Sequence, residues 1–244
     1  MRQALLLLAD SRLPAGAHAH SGGIAPAVDG DLVHGHVEVI EFLRGRLHTA
    51  GLLAAAVAAR ACHLATETAG AAAPAVDATS TPARNAGGAR AAGGVWAVLD
   101  GEVDARTPSA AQRQTSRAQG RALLRVARQA FPHREYDALG THPHHPVALG
   151  IAVRAAGGTP EEAAALAVAA ALSGPASAAL RLLGLDPLAL TAAHAALATT
   201  ADAVVAEAAA YADRPTDALP APSAPLLDLL AQAHARSEVR LFAS

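Results

Sequence analysis

The sequence predicts an all-α protein: a single helical-bundle-like domain of about eight to ten helices spanning residues 1–244. Hydrophobic residues make up 52% of the 244, but 69 are alanine and only 6 are aromatic. Alanine has the highest helix propensity, and its small side chain allows helices to pack closely. Apolar residues recur at helical spacing, whereas no stretch of alternating β-branched residues indicates a strand.

The first half of the chain contains two adjacent helical patterns and a weakly hydrophobic segment. Apolar residues at helical spacing predict a helix over 37–47, and a second helix follows from about Gly51 to Thr68. Residues 70–94 are mostly Ala, Gly, Pro, Thr and Ser and offer little to bury, so we expect a flexible loop there.

Helix starts in the second half are marked by a polar residue followed by proline. Thr107-Pro108 and Asp186-Pro187 are such starts, and Gly184 is a suitable end for the helix before the second. Thr159-Pro160-Glu161-Glu162 is a capping box that opens a helix through about Leu172. Four leucines after Pro225 predict a last short helix.

Composition and charge exclude several function classes. The chain has no lysine, which rules out a phosphate-loop lysine and Schiff-base chemistry. A net charge of -2 gives no general attraction to nucleic acid or anionic membranes. The single Cys62 is expected to be a buried small hydrophobe, and the apolar run of 4–9 is too short for a signal peptide. We therefore expect a cytoplasmic protein with no transmembrane segment and no membrane or nucleic-acid partner.

Twelve histidines are many for this length, and three of them stand at His142, His144 and His145. Imidazole binds nickel, zinc and copper, so a helical metal-binding enzyme using the His142–His145 cluster is an alternative function. No acid or thiol stands beside the cluster at metal-motif spacing, and the flanking prolines predict an exposed turn. We predict no metal site and no cofactor. His18 and His20 are expected to lie in a helix-entry loop.

A stripe of arginines occupies one predicted helix face, at Arg113, Arg117, Arg121, Arg125 and Arg128. It is either a solvated face or a dock for an acidic partner. A nucleic-acid-binding regulator using this stripe is a second alternative, although aromatic stacking residues are nearly absent.

Two further segments stand out. Ser21, followed by Gly22 and Gly23, superficially looks like a nucleophile, but the motif lacks the first glycine and the strand of a nucleophile elbow, so no catalytic residue is predicted. At the other end, a cation stands beside two large apolar side chains, a composition typical of an interface anchor. This C-terminal tail, residues 234–244, includes His234, Arg240, Leu241, Phe242 and Ser244.

Together these segments resemble the UreF family of urease accessory proteins, in particular its actinobacterial members. The N-terminal proline-glycine and serine-glycine signature matches at Pro14, Gly16, Ser21, Gly22 and Gly23. Further matches lie at Arg113 to Leu124, His145 to Gly150, Ser173 to Gly184, and the C-terminal tail. Alanine replaces the acids expected at Ala25, Ala111 and Ala235.

The resemblance implies a non-enzymatic chaperone that forms a homodimer and links the GTPase UreG and the protein UreD, also called UreH, to nickel insertion into apo-urease. In the family the tail contacts UreD and a more central surface recruits UreG. We therefore expect partner contacts at the tail and at Arg113, Arg117 and Arg121.

Overall fold

The computed structural model describes residues 3–10, 12–15, 20–71 and 85–236, with side chains described outside 69–71 and 85–93. The described residues are predominantly helical and contain no β-strand, which confirms the predicted all-α class. Only Leu197 separates the ninth helix from the tenth. The helices are α1 (Gln3–Ala9), α2 (Ile24–Asp29), α3 (His36–Arg46), α4 (Leu52–Ala71), α5 (Asn85–Ala105), α6 (Ala110–Ala130), α7 (His145–Ala155), α8 (Pro160–Leu183), α9 (Pro187–Ala196), α10 (Ala198–Ala209) and α11 (Pro225–Ala235).

The centre of the protein is α4, which packs against α7, α8 and α10. Its inward face is made of small residues with no solvent exposure, including Ala55, Ala58 and Cys62. A Cβ atom at Gly150 of α7 would lie 2.6 Å from the Cβ of Ala61. Small side chains therefore set the distance between α4 and α7, as the alanine-rich composition predicts.

Several predicted helix boundaries are confirmed by their caps. The hydroxyl of Thr159 accepts a hydrogen bond from the backbone N–H of Glu162, and the Glu162 carboxylate accepts one from the N–H of Thr159. Asp186 caps α9 in the same manner through the N–H groups of Leu188 and Ala189. Gly184 ends α8 with a left-handed conformation at φ 60°.

Two predicted boundaries are wrong. Helix α6 is capped by Ser109, two residues after the predicted start at Thr107-Pro108, because its hydroxyl accepts from the backbone N–H of Gln112. Helix α8 does not end near Leu172 but continues through Pro175 to Leu183. Proline has no N–H, so a carbonyl four residues earlier loses its helical partner, and the Nε of Arg46 donates to that carbonyl, on Ala171, at 3.2 Å.

The two early helices form one continuous stretch rather than two separate rods. A π-helical turn, Leu47–Gly51, joins α3 to α4. By length and mean hydropathy alone, His36–Thr68 and Pro160–Leu183 could each cross a membrane. More than half of each apolar window is buried inside the protein, so the core already uses much of this surface.

Two expectations fall partly or wholly outside the described residues. For the predicted loop 70–94, residues 72–84 lie outside them, and α5 begins at Asn85. The C-terminal tail lies outside them from residue 237 onward.

Candidate functional site

The three histidines at the start of α7 lie in different surroundings. His142 is exposed, His144 is completely buried, and His145 is partly buried. The prediction of an exposed turn is therefore wrong for His144, which caps α7 and faces inward between α5 and α6. The His142–His145 cluster does not form a single metal-ligand set in the described structure.

His144 is held by contacts from both neighbouring helices. Its Nε2 lies 2.9 Å from Oδ1 of Asp104, and its Nδ1 lies 3.0 Å from the hydroxyl of Ser116. Its backbone N–H donates to Asp100 at 2.8 Å. Burial lowers the pKa of His144 and outweighs the opposite effect of the Asp104 hydrogen bond, so the ring is neutral near pH 7.

Arg117 neutralises the two acids of this cluster. Its Nη1 donates to Asp100 at 2.7 Å and its Nη2 donates to Asp104 at 2.6 Å. The same Nη1 donates to the carbonyl of His142 at 2.7 Å. Partial burial acts to raise the pKa of Asp104, but the hydrogen bonds from His144 and Arg117 lower it overall. We call Asp100, Asp104, Ser116, Arg117 and His144 the polar clamp.

The polar clamp joins α5, α6 and the start of α7. Ligand atoms of Asp100, Asp104 and His144 lie within 4.8 Å of one another, which is close enough for a metal ion. Arg117 already supplies positive charge to both carboxylates, so a cation would have to displace it. Gly120 permits the close approach of α6, since a Cβ there would lie 2.9 Å from the backbone of His144. The arrangement is that of a structural junction.

The arginine stripe is divided between the protein interior and the surface. Arg117 belongs to the polar clamp, and Arg113 donates to the carbonyls of Thr107 and Pro108. Arg128 pairs with Asp137 at 2.7 Å. Arg121 and Arg125 are exposed, and neither guanidinium group has a hydrogen bond or ion pair with another described residue. The continuous basic face that the spacing suggested is reduced to these two guanidinium groups.

The N-terminal signature lies against α8. Of its residues, Gly16 lies outside the described residues, Pro14 is exposed, and Ser21 is completely buried. Gly22 and Gly23 have φ values of 59° and 95°, conformations that favour glycine. A Cβ on Gly22 would lie 2.8 Å from the ring of Pro175, so the turn before α2 requires glycine for space as well as for conformation.

Of the predicted tail residues, only His234 lies among the described ones. It is buried at the end of α11, and its Nδ1 lies 3.6 Å from a carboxylate oxygen of Asp29. Arg240, Leu241, Phe242 and Ser244 lie outside the described residues. At the three positions where acids were expected, Ala25 and Ala111 are buried and Ala235 is exposed.

A cavity of about 440 Å³ lies beside the signature turn, and no sequence motif indicates it. Its walls come from the turn before α2, the end of α3, the π-helical turn, α4 to α8, and α11 with the segment that leads into it. Chemistry-bearing residues on these walls include His20, Arg46, Arg106, His145 and Asp228. The first and last of them, His20 and Asp228, are 208 positions apart in the sequence. Spacing along the chain therefore does not indicate that these residues share one cavity.

Acidification should destabilise the protein between about pH 6.5 and pH 4, and His145 should carry part of this effect. Burial, followed by the nearby charge of His20, lowers the pKa of His145 from 6.5 to about 4. Between these values the unfolded chain binds a proton that the folded protein does not, so the free energy of unfolding falls as pH falls. Below about pH 4 both states are protonated and the loss is complete.

Urea unfolding at pH 7, 6, 5 and 4 tests this expectation. His145→Gln should reduce the pH-dependent loss by about 1 to 3 kcal/mol. His142→Gln is the matched control, because His142 is exposed. Identical pH dependence in the wild type and His145→Gln would contradict the assignment.

The fold and the site define an all-helical protein in which the polar clamp joins neighbouring helices. The family model UreF matches residues 33–198. A urease accessory protein UreF from Mycolicibacterium vanbaalenii is 42% identical over 240 residues, covering 98% of this chain and 97% of that protein. The namesake from Mycobacterium sp. strain JLS is 43% identical with the same coverage, and that of Mycobacterium tuberculosis strain H37Ra is 39% identical over 242 residues. The chain belongs to the UreF family of urease accessory proteins.

Proposed function

We propose that the protein is a non-enzymatic scaffold of urease maturation, which couples the GTPase UreG and UreD/UreH to nickel insertion into apo-urease. The observation that carries this proposal is the extent of the similarity, about 40% identity over 98% of the chain and 97% of the relatives. Similarity of that extent covers nearly the whole chain, so the proposal applies to the protein as a whole rather than to one segment. We further propose a cytoplasmic homodimer.

The alternative functions receive less support from the geometry. A metal-binding enzyme needs converging ligands with an open position. Here His142 is exposed whereas His144 is buried, and Arg117 donates hydrogen bonds to both Asp100 and Asp104. A nucleic-acid regulator needs a continuous basic surface, whereas Arg113, Arg117 and Arg128 are engaged within the protein.

Reconstitution is the decisive test of the scaffold role. Purified apo-urease, UreD, UreG, nickel and GTP should yield urease activity only when this protein is added. Alone, it should neither hydrolyse GTP nor bind nickel at submicromolar concentration. Equal activation without the protein would remove the proposed role, and stoichiometric tight nickel binding lost in His142→Ala/His144→Ala/His145→Ala would favour the metal-binding alternative.

We propose two partner-binding surfaces, the C-terminal tail for UreD and the arginine face of α6 for UreG. Arg113, Arg117 and Arg121 are the residues assigned to the second surface, and their different surroundings separate their roles. Arg121 is exposed and available to an acidic partner, whereas Arg113 and Arg117 hold α6 against its neighbours. The exposed Arg125, one turn further along α6, extends the available surface.

Replacing Arg121 and Arg125 with alanine should weaken UreG binding about two- to tenfold at 50 mM salt and less at 300 mM. Exposed ion pairs contribute about 0.2–1 kcal/mol each and are screened by salt. Isothermal titration calorimetry at both salt concentrations measures the effect, with Arg214→Ala, an exposed arginine in the turn after α10, as a control. If the variant bound UreG with unchanged affinity at both salt concentrations, the arginine face would be a solvent-exposed surface with no role in UreG binding. Arg117→Ala should instead lower the thermal midpoint, since it removes the cation of Asp100 and leaves Asp104 with only the longer 3.7 Å contact from Arg113.

A further inference from the structure

The cavity beside the signature turn has the size of a small-molecule site. Its volume is about 440 Å³, within the range of about 300–1,000 Å³ typical of ligand pockets. Apolar side chains such as Leu53, Val103 and Pro146 form part of its walls, and a few polar groups interrupt them. This mixture is typical of sites that hold a small organic molecule and orient it through a few polar contacts.

Arg46 brings a positive charge to this cavity. Its Nε donates to the carbonyl of Ala171, which Pro175 leaves without a helical partner. One nitrogen of the guanidinium group therefore already has a hydrogen-bond acceptor within the protein. The guanidinium lies against the backbone of Gly22, since a Cβ on that glycine would be 3.2 Å from its central carbon. The two terminal nitrogens remain for another acceptor.

Among the described residues, no carboxylate oxygen lies within 4.0 Å of the Arg46 guanidinium. The other arginine of the cavity, Arg106, differs because it pairs with Glu102 and also donates to the carbonyl of Leu219. Asp228 lines the cavity but does not pair with Arg46. Burial lowers the pKa of Arg46 to about 10, so the group is still charged near pH 7. Arg46 is partly buried. A charge that loses part of its contact with water without gaining a counter-ion is less favourable, and an anion would relieve that cost.

We propose that this cavity binds a small organic anion whose carboxylate or phosphate head rests on the terminal nitrogens of Arg46 and whose apolar part contacts the cavity wall. A guanidinium group suits this role because its planar fork donates two parallel hydrogen bonds to one oxyanion. His145 is neutral near pH 7 and offers a further ring nitrogen on the same wall. The site is independent of the proposed scaffold role, since it rests on residues of this chain alone.

Binding of benzoate to the full-length protein tests the proposal. Benzoate joins a carboxylate to an apolar body, benzyl alcohol supplies the body without the charge, and inorganic phosphate supplies an oxyanion alone. Calorimetry and the thermal midpoint are measured against chloride at the same ionic strength. We expect saturable benzoate binding, weaker phosphate binding and no saturable binding of benzyl alcohol. Equal binding of benzyl alcohol, or no saturable binding of either anion, would overturn the proposal.

Three variants locate the site. Arg46→Gln should weaken benzoate binding at least about tenfold, because hydrogen bonds to charged groups are the strong ones. Arg125→Gln removes an exposed arginine and should leave binding unchanged. Ala170→Phe fills the cavity from an exposed position of α8 and leaves Arg46 intact, so it should abolish binding even if Arg46→Gln does not fold. Full affinity in Ala170→Phe, or in a folded Arg46→Gln, would place the anion elsewhere and contradict the proposal.

Discussion

Replacing Gly150 with valine should lower the thermal midpoint by about 10 °C or more. The added Cβ would lie 2.6 Å from the Cβ of Ala61 and 2.9 Å from the backbone nitrogen of Cys62. Overpacking a core usually costs about 1–3 kcal/mol, and the cost is higher here because a backbone cannot rotate away as a side chain can. For a chain of this size each kcal/mol changes the midpoint by about 2–4 °C.

Gly101→Ala provides the matched control, since in the described structure nothing outside its own stretch of helix lies within 4 Å of the position of its Cβ. Alanine in an exposed helix position should be neutral or stabilise by about 0.5–1 kcal/mol. Thermal unfolding followed by circular dichroism compares the two variants. A Gly150→Val protein with the midpoint of the wild type would show that α4 and α7 are not held at this distance in solution.

The sequence predicts the fold class and many helix ends because these depend on local chemistry. The capping box at Thr159, the cap at Asp186 and the left-handed Gly184 each act within one helical turn. The same local logic fails at Pro175. There proline predicts a helix end, but Arg46, more than 120 positions earlier in the chain, supplies the hydrogen bond that lets α8 continue.

Only part of the polar clamp can be predicted from the sequence. Arg117 was identified, but as one member of a stripe rather than as the partner of two acids. Asp100 and Asp104 stand one turn apart on α5, and Arg113 and Arg117 stand one turn apart on α6. That matching spacing on neighbouring helices is a signal that could have paired them. Nothing in the spacing indicates that His144, alone among three neighbouring histidines, turns inward.

The cavity could not be predicted, because it forms where distant elements leave space between them. Arg46 at the end of α3 follows the usual preference for a basic residue in a last helical turn. Only the packed structure places it beside Gly22 and Ala171. Family membership explains the helices and the signature turn but does not by itself identify what the cavity holds.

Deleting residues 237–244 should abolish capture of UreD and urease activation while the fold stays intact. The described part of the protein shows how α11 is fixed without these residues. Ala231 and His234 are buried, and His234 faces Asp29 of α2. The side-chain oxygen of Gln232 also caps α6, where it accepts hydrogen bonds from the backbone N–H groups of Ala110 at 2.7 Å and Ala111 at 3.2 Å. The helical circular dichroism and the thermal midpoint should therefore remain close to those of the wild type.

Phe242 is the residue we expect to contribute most to UreD binding. Burying a phenylalanine side chain is worth about 1.5–3 kcal/mol of transfer free energy, which changes affinity by about ten- to a hundredfold. Phe242→Ala should reproduce much of the effect of the deletion, and Leu229→Ala, an exposed position of α11, is the control. If the shortened protein unfolds, Phe242 belongs to the core of its own chain. A folded, shortened protein with full affinity would instead place the UreD surface on the helices, because the remaining contacts would then be sufficient for binding.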